Sequence, residues 1–222
     1  MNIEIIDVAK NYGRQKVLEG ISFSAQKGNC IGILGCNGCG KSTLLSILAG
    51  VQRPDGGKFL CDGDDLFQNK QKRSQLVGYV PQGTPLIAEL SAKDNLLLWY
   101  ERKQMEHELA CGFLKLLGIE DFIHVPVNKM SGGMKKRLSI GCAMAKRPPI
   151  MLLDEPTAAL DMVCKKNIAD YFAQYKKAGG ILILATHDTS ELSLCDQHYI
   201  MKDGALIPFA YNGDLEDILE SL

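Results

Sequence analysis

Apolar and polar residues alternate through the first 34 positions, as in Ile3 and Ile5 and then Ile21, Phe23 and Ala25. Turn chemistry falls at Tyr12-Gly13 and Lys27-Gly28-Asn29, so this stretch is predicted to form antiparallel strands with one buried face. Cys30-Ile31-Gly32-Ile33-Leu34 is apolar throughout and runs into a glycine-rich segment, after which Leu44-Leu45-Ser46-Ile47-Leu48-Ala49 is amphipathic and stops at Gly50. The pattern is strand, glycine loop, helix. Pro54-Asp55-Gly56-Gly57 is turn chemistry, residues 58–61 read as a short strand, and Leu76-Val77-Gly78-Tyr79-Val80 reads as an apolar strand stopped by Pro81-Gln82.

From residue 83 to about 130 the spacing turns helical. Ser91-Ala92-Lys93-Asp94 resembles a capping box ahead of Leu96, Leu97, Trp99 and Tyr100, and a second helix runs through Leu109, Phe113, Leu116 and Leu117 to Gly118. Alternation then resumes with a helix over 133–145, a strand over 150–153, a helix over 162–178 closed by Gly179-Gly180, and a strand over 181–185. Such an order predicts an α/β fold with a mainly parallel sheet, helices on both faces and a helical lobe inserted at about 83–130. A length of 222 residues suits one such domain spanning 1–222.

Composition narrows the function classes. With 46% hydrophobic and 23% charged residues the chain is an ordinary globular one, and a net charge of -1 gives no general pull toward nucleic acid or an acidic membrane. No nucleic-acid partner is expected. No apolar run approaches the roughly 18 residues that span a bilayer, and Met1-Asn2-Ile3-Glu4 does not open a signal peptide. The expected location is cytoplasmic, with any membrane role exercised through a partner. The 8 cysteines are scattered in apolar surroundings, which in a reducing compartment reads as core filling.

The segment Gly35-Cys36-Asn37-Gly38-Cys39-Gly40-Lys41-Ser42-Thr43 fits the phosphate-loop pattern G-x-x-x-x-G-K-[ST] between a strand and a helix, the context it requires. Its glycines let backbone N–H groups converge on phosphate oxygens at the positive end of the new helix. Lys41 adds a full charge for the outer phosphates, and Ser42 offers a hydroxyl to a magnesium ion. The strand over 150–153 delivers Asp154-Glu155 at its C-terminal end, where ligands of parallel sheets bind. Asp154 is suited to the magnesium through its water shell and Glu155 to orienting or deprotonating an attacking water; the alternative is a solvated acidic turn. Ser131-Gly132-Gly133 opens a helix and is either an ordinary cap or a second set of N-terminal donors for phosphate. Cys36 and Cys39 have no second ligand pair spaced for zinc. They are either a redox pair beside a helix N-terminus or small side chains tolerated in the loop, and the second reading is preferred.

With these residues in place, the chain resembles nucleotide-binding subunits of ATP-binding cassette (ABC) transporters over nearly its whole length. Met130-Ser131-Gly132-Gly133-Met134-Lys135-Lys136-Arg137 is similar to the family signature, Pro156-Thr157-Ala158-Ala159-Leu160-Asp161 to its D-loop, and Tyr79-Val80-Pro81-Gln82 to its Q-loop. Ala185-Thr186-His187-Asp188 resembles the switch-histidine segment, and Tyr12 stands where the family places an aromatic that stacks on adenine. The resemblance implies a phosphate-loop NTPase core of mainly parallel sheet with an N-terminal antiparallel β subdomain and an inserted α-helical subdomain. It implies an ATPase that converts ATP and water to ADP and phosphate, with Glu155 as base, His187 as γ-phosphate partner, and Lys41 and Ser131 as charge and dipole stabilisers. Magnesium would sit on Ser42, Gln82 and Asp154. The signature Ser131, Gly132, Gly133 and Met134 would close over the nucleotide of a second ATPase subunit, so that two ATP molecules lie between two protomers. An integral membrane permease would complete the machine, with the subunit held peripherally on the cytoplasmic face. Met134 and Met130 depart from the usual L-S-G-G-Q, and Ser-Gly-Gly-Met-Lys-Lys-Arg resembles ATPases of the ABC-2 exporter type. A soluble ABC ATPase serving as an assembly or regulatory module without a permease is the rival expectation.

Overall fold

The computed structural model describes residues 1–158, 160–186 and 189–211, without the side chains of 189 and 190. β1 (Asn2–Tyr12) and β2 (Gln15–Gln26) form an antiparallel hairpin in which Ile3 faces Ala25 and Ile5 faces Phe23, all five of the alternating apolar residues being buried. β3 (Cys30–Leu34) leaves this hairpin for a second sheet and leads through the glycine loop into α1 (Lys41–Ala49), which ends on left-handed Gly50. β4 (Gly56–Cys61) returns to the free edge of β1, and the short β5 (Asp64–Asp65) completes a four-stranded antiparallel sheet in the order β2-β1-β4-β5.

Residues 70–76 form α2 (Lys70–Leu76), with Asn69 accepting from the Lys72 N–H at 2.9 Å. Leu76 therefore closes a helix rather than opening the strand expected there, and β6 spans Val77–Val80. No residue of α2 is buried, so it lacks the apolar stripe by which a helix is recognised in sequence. The helical lobe holds α3 (Ala92–Leu97), α4 (Arg102–Cys111) and α5 (Phe113–Leu116). The Ser91 capping box is present: Asp94 N–H donates to Ser91 Oγ at 3.2 Å and Ser91 N–H to Asp94 Oδ2 at 3.3 Å. The second predicted helix is split at Gly112, because the buried Glu108 carboxylate takes the Phe113 N–H at 2.7 Å while also pairing with Arg147 at 2.6 Å.

α6 (Gly132–Ala143), β7 (Ile150–Asp154), α7 (Met162–Lys177) and β8 (Ile181–Ala185) follow, each shifted from its sequence bounds by two residues at most. A single turn, α8 (Thr189–Leu192), leads to β9 (Gln197–Lys202) and β10 (Ala205–Phe209). The six-stranded sheet runs β10-β9-β3-β8-β7-β6, parallel except for edge strand β10. All residues of β3, β7 and β8 are buried, as strands covered on both faces must be. Ile31, Ile33, Ile150, Leu152, Ile181 and Ile183 pack toward α1 and the antiparallel sheet, whereas Met151, Leu153, Leu182 and Leu184 pack toward the helical lobe and Phe172 of α7. Because these strands run in parallel, their C-terminal ends bring residues 35–43, 154–155 and 186 to one edge of the sheet.

Asn95 anchors the lobe to the segment that leaves β6. Its Oδ1 accepts from Ile87 N–H at 2.9 Å, and its Nδ2 donates to the carbonyls of Ile87 at 3.2 Å and Ser91 at 3.0 Å. Asn95 is buried, so Asn95→Leu strands both backbone groups of Ile87. The expected loss is about 2–4 kcal/mol in urea unfolding. A loss below about 1 kcal/mol would mean the segment finds other partners.

Candidate functional site

The phosphate loop is held open by the fold. Gly40, the N-cap of α1, has φ +114° and its backbone lies so close to β2 that a Cβ there would stand 2.9 Å from the Val17 carbonyl oxygen. Only glycine fits. No side chain caps α1, which leaves its first N–H groups to the loop. The buried Lys41 ammonium lies inside that loop, donating to the carbonyls of Gly35 at 2.7 Å and Cys36 at 3.0 Å. Cys39 Sγ is 3.8 Å from the same nitrogen, and the thiol packs against the antiparallel-sheet core and Gly35, in keeping with a small filling side chain; Cys36 is exposed. The eight cysteines are free thiols.

Ser42, one residue beyond Lys41, places its hydroxyl beside the side chain of Asp154, which is only 2% exposed at the end of β7. Burial pushes the Asp154 carboxyl up and the Glu155 charge adds to this, while the Ser42 hydroxyl, Lys136 and Lys41 pull it down. The next residue, Glu155, turns the chain out of the sheet with φ +48°, and its N–H still donates to Ala185 of β8 at 2.8 Å. A non-glycine residue in this left-handed region carries strain of about 1–3 kcal/mol, which is commonest where a side chain must be aimed. Here the side chain meets Gln82, whose Nε2 donates to Glu155 Oε2 at 3.1 Å. The parallel register of β6 and β7, Val80 opposite Leu153, sets Gln82 across from that pair. Four sequence-derived residues, Lys41, Ser42, Asp154 and Glu155, thus converge with Gln82. Serine hydroxyl, carboxylate and amide oxygens form the hard donor set that magnesium takes, so the residues fit that ion.

Tyr12 ends β1 and is 48% exposed, with its hydroxyl bonded to Gln52 and the Lys10 ammonium 5.6 Å from its ring centre. Ser131 caps α6 by accepting from Met134 N–H at 3.2 Å, and Ser131 and Gly132 present this helix start to solvent. Asp161 caps α7 in the same way, accepting from Cys164 N–H at 2.9 Å, and this bond holds its carboxyl below the usual range. Met162 and Val163 immediately after it are exposed, Met162 to 86%. Thr186 donates its N–H to Ile33 at 3.1 Å, but His187 lies outside the described residues, as do Asp188 and Ala159.

One further residue of the signature-like segment reaches the site. Lys136 of α6 is buried, and its ammonium donates to the carbonyls of Pro81 and Asp154, each at 3.0 Å. The available signal was a lysine on the same helical face as Ser139 and Ile140.

Residues 18–158 match the family model for the ABC transporter. The linearmycin resistance ATP-binding protein LnrL of Bacillus subtilis (strain 168) is 32% identical over 94% of this chain and 69% of its own length. The probable sulfate/thiosulfate import ATP-binding protein CysA of Chlorella vulgaris is 31% identical over 98% of this chain and 94% of its own. Among solved structures, a dimeric ATP-binding cassette in a post-hydrolysis state bound to ADP and Pi superimposes with a TM-score of 0.84 at 26% identity, covering 96% of this chain and all of that one. With the phosphate loop and acidic pair converging as described, this chain belongs to the ABC transporter family, as an ATP-binding and ATP-hydrolysing subunit.

Proposed function

We propose that the chain is one ABC domain, 1–222 with the helical subdomain at about 83–130, which closes as a dimer around two ATP molecules and drives a separately encoded membrane permease, in the direction of export. The observation that carries the catalytic part is the Gln82–Glu155 hydrogen bond beside the neighbouring Ser42 and Asp154 at one sheet edge. Residues 35–43 cradle the phosphates, with Tyr12 against the adenine. Lys41 neutralises the outer phosphates, and Glu155 orients or deprotonates the attacking water, aided by His187. Ser42, Asp154 and Gln82 hold magnesium, which when bound offsets phosphate charge. Ser131, Gly132, Gly133 and Met134 face the nucleotide of the other protomer, and Asp161 with the exposed Met162 and Val163 belongs to the same interface.

The permease reading is supported by a groove of about 790 Å³ between the sheet and the helical lobe. Val51, Tyr79, Pro81, Thr84, Leu86 and Trp99 line it, and Gln82 stands in the chain between the lining residues Pro81 and Gly83. Trp99 and Val51 are exposed there, so an apolar partner segment would cover surface that is otherwise wetted. Attachment at the cytoplasmic face would come through that partner; among the described residues no helix is long and apolar enough to cross a membrane. The direction of transport rests on Ser131-Gly132-Gly133-Met134-Lys135-Lys136-Arg137 and its likeness to ABC-2 exporters. The word import in the name of the Chlorella relative describes that protein.

Trp99→Glu puts a charge into the groove without touching the ATP site. The expected result is unchanged ATPase of the isolated subunit, with recovery of a permease from solubilised membranes reduced about tenfold or more. Equal recovery with both forms would move the docking surface elsewhere. Failure of the tagged wild-type chain to bring down any integral membrane protein would favour the stand-alone module.

A further inference from the structure

β6 and β7 pair in parallel up to Val80 and Leu153, and the next residue on β6 is Pro81. Proline has no N–H, so it cannot extend the ladder at the point where the two strands deliver Gln82 and Glu155. The carbonyls of Pro81 and Asp154 lie beyond the last residues that β6 and β7 pair with each other. Both are taken by one group from outside the sheet, the Lys136 ammonium, at 3.0 Å each.

That ammonium is an unusual clamp. It is 4% exposed, and burying an ammonium is costly unless charge and hydrogen bonds compensate it. Two carbonyl bonds do part of this, and Asp154, Glu155 and Glu191 supply the opposite charge around it. Removing the ammonium leaves two carbonyls without this donor and takes a positive charge away from the neighbourhood of Asp154, Glu155 and Glu191, next to the Gln82–Glu155 bond.

Lys136 also belongs to α6, five residues after Ser131, which is about 7–8 Å along a helix. α6 is itself fixed to the lobe, since the Tyr100 hydroxyl donates to Gly141 at 2.9 Å. The same rigid segment therefore carries the exposed cap at Ser131 and the buried clamp on β6 and β7.

We propose that Lys136 is a positioning residue for hydrolysis. From the helix that carries Ser131 it joins the ends of β6 and β7 and thereby fixes the spacing of Gln82 and Glu155. A nucleotide of the other protomer that engages Ser131 then steadies the carboxylate that acts on this protomer's own ATP. This coupling rests on the dimeric reading given above, in which Ser131 serves the partner's nucleotide.

Lys136→Met keeps the length of the side chain and loses the charge and donors, and Lys136→Arg keeps both. In steady-state ATPase assays with magnesium, Lys136→Met should lower kcat about 10- to 100-fold, the scale of an ångström misplacement of a catalytic group, with KM for ATP changed less than about threefold. Lys136→Arg should return kcat to within about threefold of wild type. Should Lys136→Met fail to fold, Lys136→Gln takes its place, since its amide can still serve one carbonyl. Near-normal kcat in the Met or Gln variant overturns the proposal. So does parallel loss in kcat and KM, or an Arg variant no better than the Met one, because a cation needed only for packing would behave in those ways. Glu155→Gln run alongside separates the two levels of inference: if it still hydrolyses ATP, the underlying site assignment has failed whatever Lys136→Met does.

Discussion

Glu155→Gln is expected to slow ATP hydrolysis by about 10²- to 10⁴-fold, the usual worth of a positioned general base, while ATP still binds. The substitution is nearly isosteric. An amide at 155 can still meet Gln82, which now lies 3.1 Å from the carboxylate, and Asp154 beside Ser42 is untouched. Loss of turnover without loss of binding has a second consequence. Nucleotide that is not consumed stays in the interface, and a ligand that binds only the closed dimer stabilises it by mass action. Light scattering or sedimentation should therefore show dimer for Glu155→Gln in ATP and monomer without it. Lys41→Ala is the opposing control, because its ammonium occupies the centre of the loop and its loss removes the charge meant for the outer phosphates. That variant should stay monomeric at the same ATP concentration. Near-normal turnover in Glu155→Gln would remove this residue as the base, and dimerisation of Lys41→Ala with ATP would detach closure from phosphate binding.

What was legible in the sequence follows from how each segment is buried. β3, β7 and β8 are covered on both faces, so they read as unbroken apolar runs, and the motifs at their ends inherit a definite place at one sheet edge. Lys41, Ser42, Asp154 and Glu155 could be brought together on that ground alone. Gln82 needed the family resemblance, since nothing in Pro81-Gln82 itself says that β6 lies beside β7. The elements that escaped are those with no such contrast. α2 buries no residue, and β9 and β10 are half exposed with Met201 and Ile200 as their only fully buried positions. Gly112 splits a helix because of a buried carboxylate four residues earlier, a tertiary cause that periodicity cannot carry. Lys136 belongs with these. A lysine on a buried helical face is visible in the sequence, but the two carbonyls that hold it are 18 and 55 residues away.

The shared site has a sharper test in mixtures of two inactive proteins. Ser131→Asp retains a side-chain acceptor for Met134 N–H, and aspartate caps helices as well as serine does, so α6 and the fold should be unaffected. The position is exposed, so nothing need move to admit the larger group. What changes is charge: a carboxylate stands where a phosphate of the partner's nucleotide would approach. Alone, Ser131→Asp should lose ATPase by on the order of 10²-fold, as when an oxyanion-stabilising donor is lost. Glu155→Gln alone is inactive for the reason already given. In a mixed dimer, however, one composite site has both lesions and the other has neither, because it pairs the intact Glu155 of one chain with the intact Ser131 of the other. Random pairing of equal amounts makes half the dimers mixed, each with one of two sites intact, so activity should return to at most about a quarter of wild type, trapping of Glu155→Gln homodimers by ATP and loss of the Ser131–Lys136 coupling in the mutated chain both lowering it. Recovery should trace a parabola in the mixing fraction with its maximum at equal amounts. If both residues served the same protomer's nucleotide, every chain in the mixture would carry a complete defect and no ratio would restore turnover. Steady-state ATPase at fixed total protein across the mixing series distinguishes the two outcomes, and a flat, inactive series would overturn the sandwich dimer.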